Sequence, residues 1–334
     1  MQGGFIGVDI FFVISGYLIT LIIMKEVAAG NFSILAFYER RARRILPALY
    51  VLILLLIPIS WYRLMPDDLE NFGQSIVATT LFSNNILLFL TSGYWDLSSE
   101  FKPLLHTWSL GVEEQFYFAL PLLFLVFGAS LRSSLFIIGV IFFGSIALNI
   151  FNFIPDGKTT FYLPHYRFWE LAAGSLCALL SRKGFAIRSS RLPDLALVTL
   201  FGCFGLLRAP DSVSQWALTS VAVLATSVII LADFDGKKSI SSIILRFKPI
   251  VFIGLLSYSI YLYHQPLFAF ARTWSHEHPG VPVFLGPSSF RVEPNSHNDS
   301  WSSSPVGMCA GRWSACAHVH RAGLSRRMSP WALP

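Results

Sequence analysis

Long apolar stretches separated by short polar loops dominate the sequence from Phe5 to Ala271. A helix needs about 20 apolar residues to cross the hydrocarbon core of a bilayer. Charged residues make up only 13% of the 334 residues, about half the share found in soluble domains, which argues against an ordinary cytosolic enzyme. The sequence therefore predicts an all-α, polytopic membrane protein of about nine spans. These are Phe5–Met24, Ile45–Tyr62, Ser75–Leu90, His106–Phe127, Ser134–Asn152, Tyr166–Leu180, Leu192–Leu207, Trp216–Ala232 and Ile250–Ala271.

Positive charge is concentrated in three loops between these spans, Lys25–Arg44, Arg182–Arg191 and Lys237–Lys248. The positive-inside rule places such loops in the cytoplasm. Five predicted spans separate the first loop from the second, however, and an odd number cannot return the chain to the same side. Either one segment is re-entrant, split or miscounted, or one basic loop lies outside. The first loop has the densest charge and is the strongest cytoplasmic assignment.

The composition changes after Arg272, which predicts a domain boundary there. Residues 1–272 are expected to form the transmembrane domain. Residues 273–334 are rich in Ser, Pro, His, Arg and Trp without periodicity, and are expected to form an irregular tail that is disordered or out of frame. The 4 cysteines have no zinc-binding spacing, so no metal site is expected.

Ionisable residues inside a span are expensive and therefore indicate function. In the first span Asp9, Gly16 and Thr20 share one helix face. Small residues on that face let a neighbouring helix approach closely, so Asp9 is expected to face the interior of the bundle. The alternative is a purely structural Asp9, satisfied by an adjacent polar group.

The fourth span repeats this pattern with His106, Ser109, Glu113 and Tyr117, which fall on one face of a helix. Two adjacent acids at the start of a span can simply favour a helix N-terminus. That alternative explains Glu114 better than Glu113, so Glu113 is a candidate for proton transfer.

The last span carries Ser257, Tyr261 and His264 on one face, just before Pro266, which frees a backbone carbonyl. Histidine is the side chain best suited to move protons near neutral pH. A lone histidine in an apolar helix more often makes only a structural hydrogen bond, and that alternative stays open.

Two further charged groups are ambiguous. Arg167 and Glu170, close to His165, stand at i and i+3 and are interpreted as a simple ion pair. The segment YERRARRILP carries four arginines beside a span. Its spacing favours contact with anionic lipid over docking of a phosphorylated cofactor, although arginine forks also bind phosphates bidentately.

Four segments together resemble the membrane acyltransferase-3 family: GGFIGVDIFFVISGYLIT, RRARRILP, PLLHTWSLGVEEQFYF and LSYSIYLYHQP, in the family's order over about residues 3–272. Its members include bacterial O-acetyltransferases of the O-antigen of lipopolysaccharide, peptidoglycan and exopolysaccharide. The resemblance implies about ten spans in the bacterial inner (cytoplasmic) membrane. It also implies transfer of an acyl group, above all acetyl, from acyl-CoA to a hydroxyl of a cell-envelope glycan. Acyl-CoA is then a co-substrate, with no permanently bound cofactor and no nucleic-acid partner.

The resemblance also assigns roles to residues. The family's arginine loop is associated with acyl-CoA, so Arg40, Arg41 and Arg44 are expected to bind it, which reverses the preference for lipid. The catalytic candidates are Glu113, His264 and Asp9. The supporting residues are Ser15, His106, Trp108, Ser109, Tyr117, Ser257 and Tyr261.

Family members begin with a helix carrying an Arg and a His, and this sequence starts after the place of that helix. Asp9 is therefore expected to lack its basic partner, and the chain as given is expected to transfer little or no acyl group. Two other functions remain open: a proton-coupled transporter or flippase of an envelope precursor, and an inactive gene fragment. The absence of visible inverted repeats favours the enzyme over the transporter.

Overall fold

The computed structural model describes residues 6–91, 101–128, 130–151, 157–206, 212–232 and 239–277. Helices form almost all of these ranges, and the one β-bridge within them is isolated, which confirms the all-α prediction. Most of the predicted tail lies outside the described residues. The helices are α1 (Ile6–Ala28), α2 (Ile34–Arg63), α3 (Pro66–Thr80), α4 (Asn84–Thr91), α5 (Thr107–Phe127), α6 (Leu131–Phe151), α7 (Gly157–Tyr162), α8 (Pro164–Arg182), α9 (Arg191–Leu206), α10 (Ser212–Ile230), α11 (Ile240–Leu245) and α12 (Lys248–Glu277).

Eight of the nine predicted spans correspond to single helices: α1, α2, α5, α6, α8, α9, α10 and α12. Among the described residues, four helices are long and apolar enough to cross a bilayer, namely α1, α2, α5 and α6. This is the architecture of a polytopic helical membrane protein. The last helix continues to Glu277, beyond the predicted end of its span at Ala271.

The third predicted span, Ser75–Leu90, is wrong, because a turn separates α3 from α4. Phe82 in this turn has a left-handed backbone with φ of 52°. Gln115 of α5 stabilises the turn, since its Nε2 donates to the carbonyl oxygen of Phe82 at 2.9 Å. A Cβ added to Gly111 would come within 2.8 Å of the side chain of Asn85, so this glycine lets α5 approach the turn closely.

The chain breaks here because its polar side chains find partners in the protein rather than in lipid. Asn84 Nδ2 donates to the carbonyl oxygen of Leu104 at 3.0 Å and to Thr107 Oγ1 at 2.7 Å. Thr79 Oγ1 lies 3.0 Å from the same Thr107 hydroxyl. In a membrane, an irregular backbone is tolerated only where protein or a polar cavity surrounds it.

The crossing of α1 and α8 brings two backbones into direct contact. A Cβ added to Gly16 would overlap the carbonyl oxygen of Leu171, and one added to Gly174 would overlap the carbonyl oxygen of Val13. Ser175 Oγ donates to the carbonyl oxygen of Gly16 at 3.2 Å. The expectation that Gly16 admits a close neighbour is confirmed.

Helices α1 and α5 run in the same direction. The ring of Phe12 meets the ring of Trp108 edge-on, with centroids 6.2 Å apart. Further along both helices, Ser15 Oγ donates to Glu113 Oε1 at 2.6 Å. The contacts between α1 and α5 therefore follow the same order along both helices.

The three basic loops lie at the same end of the bundle. Arg182, at the end of α8, donates from Nη1 to the carbonyl oxygen of Met24, near the end of α1, at 2.7 Å. Asp194, at the start of α9, accepts from the backbone N–H of Ser241 in α11 at 2.7 Å. We call this end of the bundle the basic end; it carries Lys25–Arg44, Arg182–Arg191 and the described part of Lys237–Lys248.

This arrangement resolves the conflict over spans. Helices α2, α5 and α6, which are long and apolar enough to cross a bilayer, and the 19-residue helix α8 connect the first basic loop to the second. An even number of crossings returns the chain to the same side, because α3 and α4 do not form a complete crossing. Of the alternatives that the sequence left open, the split segment is the one observed.

Replacing Gly16 or Gly174 with Ala should destabilise the protein by about 1–3 kcal/mol or more, because the added methyl must displace backbone. Gly144→Ala is the matched control, since nothing lies within 4 Å of that position. The control should be neutral or slightly stabilising, because Ala favours a helix over Gly by about 1 kcal/mol. Thermal unfolding of the purified protein in detergent measures the difference. Equal midpoint temperatures of unfolding for all three variants would contradict the direct backbone contact between α1 and α8.

Candidate active site

Glu113 lies at the centre of a buried polar cluster between α1 and α5. Its Oε1 accepts hydrogen bonds from Ser15 Oγ at 2.6 Å and from Tyr117 OH at 2.5 Å. The exposed fractions of Glu113, Ser15 and Tyr117 are 6%, 5% and 2%. Hydroxyl donors to a carboxylate oxygen form short, charge-assisted bonds. The cluster therefore holds the Glu113 carboxyl group in one orientation away from water.

Two arginines reach this cluster from the basic end. The guanidinium carbon of Arg41 lies 4.5 Å from the centroid of the Tyr117 ring, a cation–π contact. Arg41 and Arg44 are close enough for their positive charge to act on Glu113 and Glu114. Within the described part of the chain, Glu114 Oε1 is buried without a hydrogen-bond partner. The arginine segment and the intramembrane acids thus belong to one electrostatic unit.

The other two arginines of this segment are already paired with acids. Arg40 Nη2 lies 2.6 Å and 2.8 Å from the two carboxylate oxygens of Glu26. Arg43 pairs with Glu39 at 2.6 Å, one turn away on α2. Neither Arg41 nor Arg44 has a carboxylate at salt-bridge distance among the described residues. The three arginines predicted to bind acyl-CoA therefore have different surroundings, because Arg40 ties α2 to the end of α1.

A second cluster lies where α12 meets the start of α5. The ring centroids of His106 and His264 are 5.4 Å apart, and the ring of Tyr261 is 5.1 Å from that of His106. His264 Nδ1 lies 2.6 Å from the carbonyl oxygen of Tyr261. A carbonyl can only accept, so Nδ1 carries the hydrogen. Nε2 is then the nitrogen of His264 that can accept a proton.

His106 is buried with 7% exposed. Neither of its ring nitrogens makes a hydrogen bond with acceptable geometry to any described residue, although backbone groups of Pro103 and Leu262 lie close enough to act on it. Buried polar atoms without partners are rare, and each calls for an explanation such as an unseen ligand or a catalytic role.

Tyr261 connects the two clusters. Its hydroxyl lies 2.8 Å from Ser109 Oγ and donates to the carbonyl oxygen of His106 at 2.5 Å. Ser109 stands about one helical turn from Glu113 on α5. We call the row Tyr117, Glu113, Ser109 and His106 the polar row; it extends about 16 Å along α5 at 1.5 Å per residue. All four of its side chains are buried.

Ser257 is the supporting residue that the structure separates from the others, because its side chain is exposed. Its neighbour Tyr258 turns inward instead, and its hydroxyl donates to the carbonyl oxygen of Ile45 at 3.1 Å. Helix α12 is largely exposed before this point, so sharing a face with Tyr261 does not bury Ser257.

Asp9 is the centre of a third cluster, formed with α8 and α10. Its Oδ1 lies 3.2 Å from Arg167 Nη1, and its Oδ2 accepts from Thr219 Oγ1 at 2.9 Å. The same Arg167 nitrogen lies 2.9 Å from Glu170 Oε1. The expectation that Asp9 lacks a basic partner in this chain is wrong, because Arg167 supplies one. The Arg167–Glu170 pair exists, but it is part of a larger network.

Trp108 joins this third cluster to the polar row. Its ring centroid is 4.5 Å from that of Phe161, and the guanidinium carbon of Arg167 lies 5.7 Å from the Trp108 ring. Trp108 is thus the residue of α5 that packs against Phe161 and Arg167.

Sequence reasoning missed Thr219, Asn85 and Gln115. Thr219 gave no signal, because an isolated threonine in an apolar helix is common. The amides of Gln115 and Asn85 bond to each other at 2.9 Å. Gln115 lies four residues after Gly111 on α5, so the two share a helix face. A glycine and an amide on one face were the available indication that another segment packs there.

A sequence profile of the acyltransferase domain matches residues 2–310. The chain belongs to the acyltransferase-3 family. This acyltransferase-3 chain is 34% identical over 286 residues to the peptidoglycan O-acetyltransferase OatA of Listeria monocytogenes, covering 80% of this chain and 45% of that protein. It is 35% identical over 212 residues to an uncharacterized protein of Haemophilus influenzae, covering 60% of this chain and 86% of that protein. It thus spans about half the length of OatA. No solved structure matches the chain.

Replacing Arg167 with Gln should destabilise the protein by about 3–5 kcal/mol, because it leaves Asp9 and Glu170 buried without a cation. Adding Asp9→Asn to Arg167→Gln should cause less loss than the sum of the two single changes, as expected for residues in contact. The exposed Arg188 offers the matched control, and Arg188→Gln should stay within about 0.5 kcal/mol of the parent. Unfolding in detergent measures all four variants; strict additivity would refute the direct pairing.

Proposed function

We propose that this chain transfers an acyl group, above all acetyl, from acyl-CoA to a hydroxyl of an envelope glycan. The observation that carries the proposal is the polar row of α5, which begins beneath Arg41 and leads to the pair His106 and His264. Membership in the acyltransferase-3 family and similarity to a peptidoglycan O-acetyltransferase support it.

The donor binds at the basic end. The positive-inside rule places that end in the cytoplasm, where acyl-CoA is found. Arg41 and Arg44, which have no carboxylate at salt-bridge distance among the described residues, offer forked donors for the phosphates of CoA. Arg40 contributes less, because Glu26 occupies its fork.

Acyl transfer breaks the carbon–sulfur bond of the thioester and forms a carbon–oxygen bond to the sugar. A base takes the hydroxyl proton during the attack, and that proton finally neutralises the departing CoA thiolate. His264 is the base that we favour, because its Nδ1 is held by the Tyr261 carbonyl and its Nε2 can accept. Glu113 is the second group for proton transfer, held by Ser15 and Tyr117. Asp9 acts through Arg167 and is a positioning residue.

Arg41→Ala and Arg44→Ala should each raise the KM for acyl-CoA about tenfold or more, since a charge-assisted hydrogen bond contributes about 1.5–3 kcal/mol. Lys at either position should restore only part of the affinity, because it lacks the bidentate fork. Arg40→Ala is the comparison variant and should have the smallest effect. Donor titrations on membranes with equal amounts of each variant measure this. An unchanged KM for acyl-CoA in the Arg41/Arg44 double variant would show that these arginines do not bind the donor and only orient the chain in the membrane.

His264→Ala should lower kcat by about 10²–10⁴-fold, the usual contribution of general-base help. Glu113→Gln should also lower kcat, with little change in the KM for acyl-CoA. The assay follows label from acetyl-CoA into peptidoglycan fragments, with the chain as given and with an added N-terminal helix carrying Arg and His. If neither form transfers acetyl, the proposal fails. Movement of a glycan precursor across the membrane without chemical change would support the transporter instead.

A further inference from the structure

Asp9 and Glu170 are two carboxyl groups in direct contact in the interior of the bundle. They hydrogen-bond to each other, although they belong to different helices, α1 and α8. Asp9 is 1% exposed, and Glu170 has no exposed surface. An ionised carboxylate can only accept a hydrogen bond, so two ionised carboxylates cannot bond to each other. The contact therefore requires a hydrogen that neither side chain carries when it is ionised.

The other hydrogen bonds of the pair do not supply this hydrogen. Arg167 Nη1 lies 3.2 Å from Asp9 Oδ1 and 2.9 Å from Glu170 Oε1, and Thr219 Oγ1 donates to Asp9 Oδ2 at 2.9 Å. Glu170 Oε2 meets no donor in the described part of the chain. A buried acceptor without a donor is rare and calls for an unseen partner. A proton is the smallest such partner, because it turns one of the two acids into a donor.

The charges of the cluster indicate the same missing proton. Arg167 is the cation that acts on both acids. Two ionised acids beside one guanidinium would leave a net negative charge away from water, where like charges repel strongly. One bound proton makes the cluster neutral. His165, on the same helix as Arg167, is exposed. The described groups that face the cluster from other helices are uncharged: Trp108 of α5, Asn149 of α6, Phe161 of α7 and Thr219 of α10.

A cavity of about 70 Å³ gives this site a route to water. Arg167, Glu170 and Thr219 line it together with residues of α6 and α7. A water needs about 10–15 Å³ of such volume, so the cavity has room for a few waters that can carry a proton. Asp9 stands sixteen residues before Lys25, about 24 Å along α1, so the site lies toward the end of the bundle opposite the basic end. The positive-inside rule puts that end on the extracytoplasmic side.

We propose that Asp9 and Glu170 bind one proton between them at neutral pH and that this shared proton locks α1 to α8. When the proton passes to water in the cavity, the hydrogen bond is lost and two carboxylates face each other across the helix crossing. The contact between α1 and α8, and with it the position of Asp9, thus depends on the pH of the extracytoplasmic side. This proton site goes beyond acyl transfer and does not depend on it.

The first test is infrared spectroscopy of the purified chain in lipid nanodiscs, because a protonated carboxyl group and a carboxylate have separate stretching bands. At neutral pH, Glu170→Gln should lose the band intensity of one protonated carboxyl group. Its amide donates to Asp9 in place of the proton and leaves Asp9 ionised beside Arg167. Asp9→Asn should lose the same intensity. Glu39→Gln is the matched control, because Glu39 is exposed and paired with Arg43, and it should lose carboxylate intensity only.

The second test compares the unfolding of the parent and of Glu170→Gln in mixed detergent micelles at several pH values. The unfolded chain ionises both acids above about pH 5, so the folded parent holds one proton more than the unfolded chain. Raising the pH therefore destabilises the parent. Between about pH 6 and about pH 8, its unfolding constant should rise about tenfold per pH unit relative to that of Glu170→Gln. Glu39→Gln should keep the slope of the parent.

Asp9→Asn takes the place of Glu170→Gln in both tests if the latter does not fold. A protonated-carboxyl band that keeps its full intensity in the variants would overturn the proposal. So would an unfolding constant that changes with pH equally in the parent and the variant. In the parent alone, the absence of a protonated-carboxyl band at neutral pH is sufficient to overturn it. None of these outcomes bears on acetyl transfer, which is measured separately.

Discussion

The close contact between the backbones of α1 and α8 is the constraint on which the arrangement of the buried polar groups depends. Gly16 and Gly174 remove the side chains that would otherwise hold the two helices apart. With the axes this close, Asp9 reaches Arg167 near one end of the crossing. Ser15, beside Gly16 but on another face, is directed at Glu113 of α5. One crossing thereby fixes the positions of two buried acids, Asp9 of α1 and Glu113 of α5, which are held from points about two turns apart on α1.

The break between α3 and α4 has a comparable effect on topology. A segment with the hydropathy of a span becomes two short helices because its polar side chains bond to the start of α5 and to Leu104 just before it, partners that lipid does not offer. Since that segment does not complete a crossing, the arginine-rich loops meet at one end. The hydrogen bonds of Asn84 and Asn85 thus keep this segment from crossing the bundle, and this sets the side on which each later loop lies.

Periodicity could predict which residues share a helix face, and for the polar row of α5 it did so correctly. Periodicity contains no information on which helix a face meets. The bonds from Ser15 to Glu113 and from Arg167 to Asp9 join residues 98 and 158 positions apart, and no local pattern encodes them. The interpretation of Arg167 and Glu170 as a local pair was incomplete because a guanidinium has five N–H donors. The prediction for Ser257 failed for a related reason. Ser257 shares a helix face with Tyr261, but at Ser257 that face of α12 is exposed. The family resemblance, carried by four ordered motifs, correctly predicted the family of the chain.

The stacking of Arg41 on Tyr117 links events at the membrane surface to a carboxyl group in the interior. The same phenol that carries the guanidinium on its face donates its hydroxyl hydrogen to Glu113. An anion that drew Arg41 away would remove the cation from that face, and the phenol would then keep its hydrogen bond to Glu113. One aromatic ring thus separates a guanidinium of the basic end from a carboxyl group in the interior.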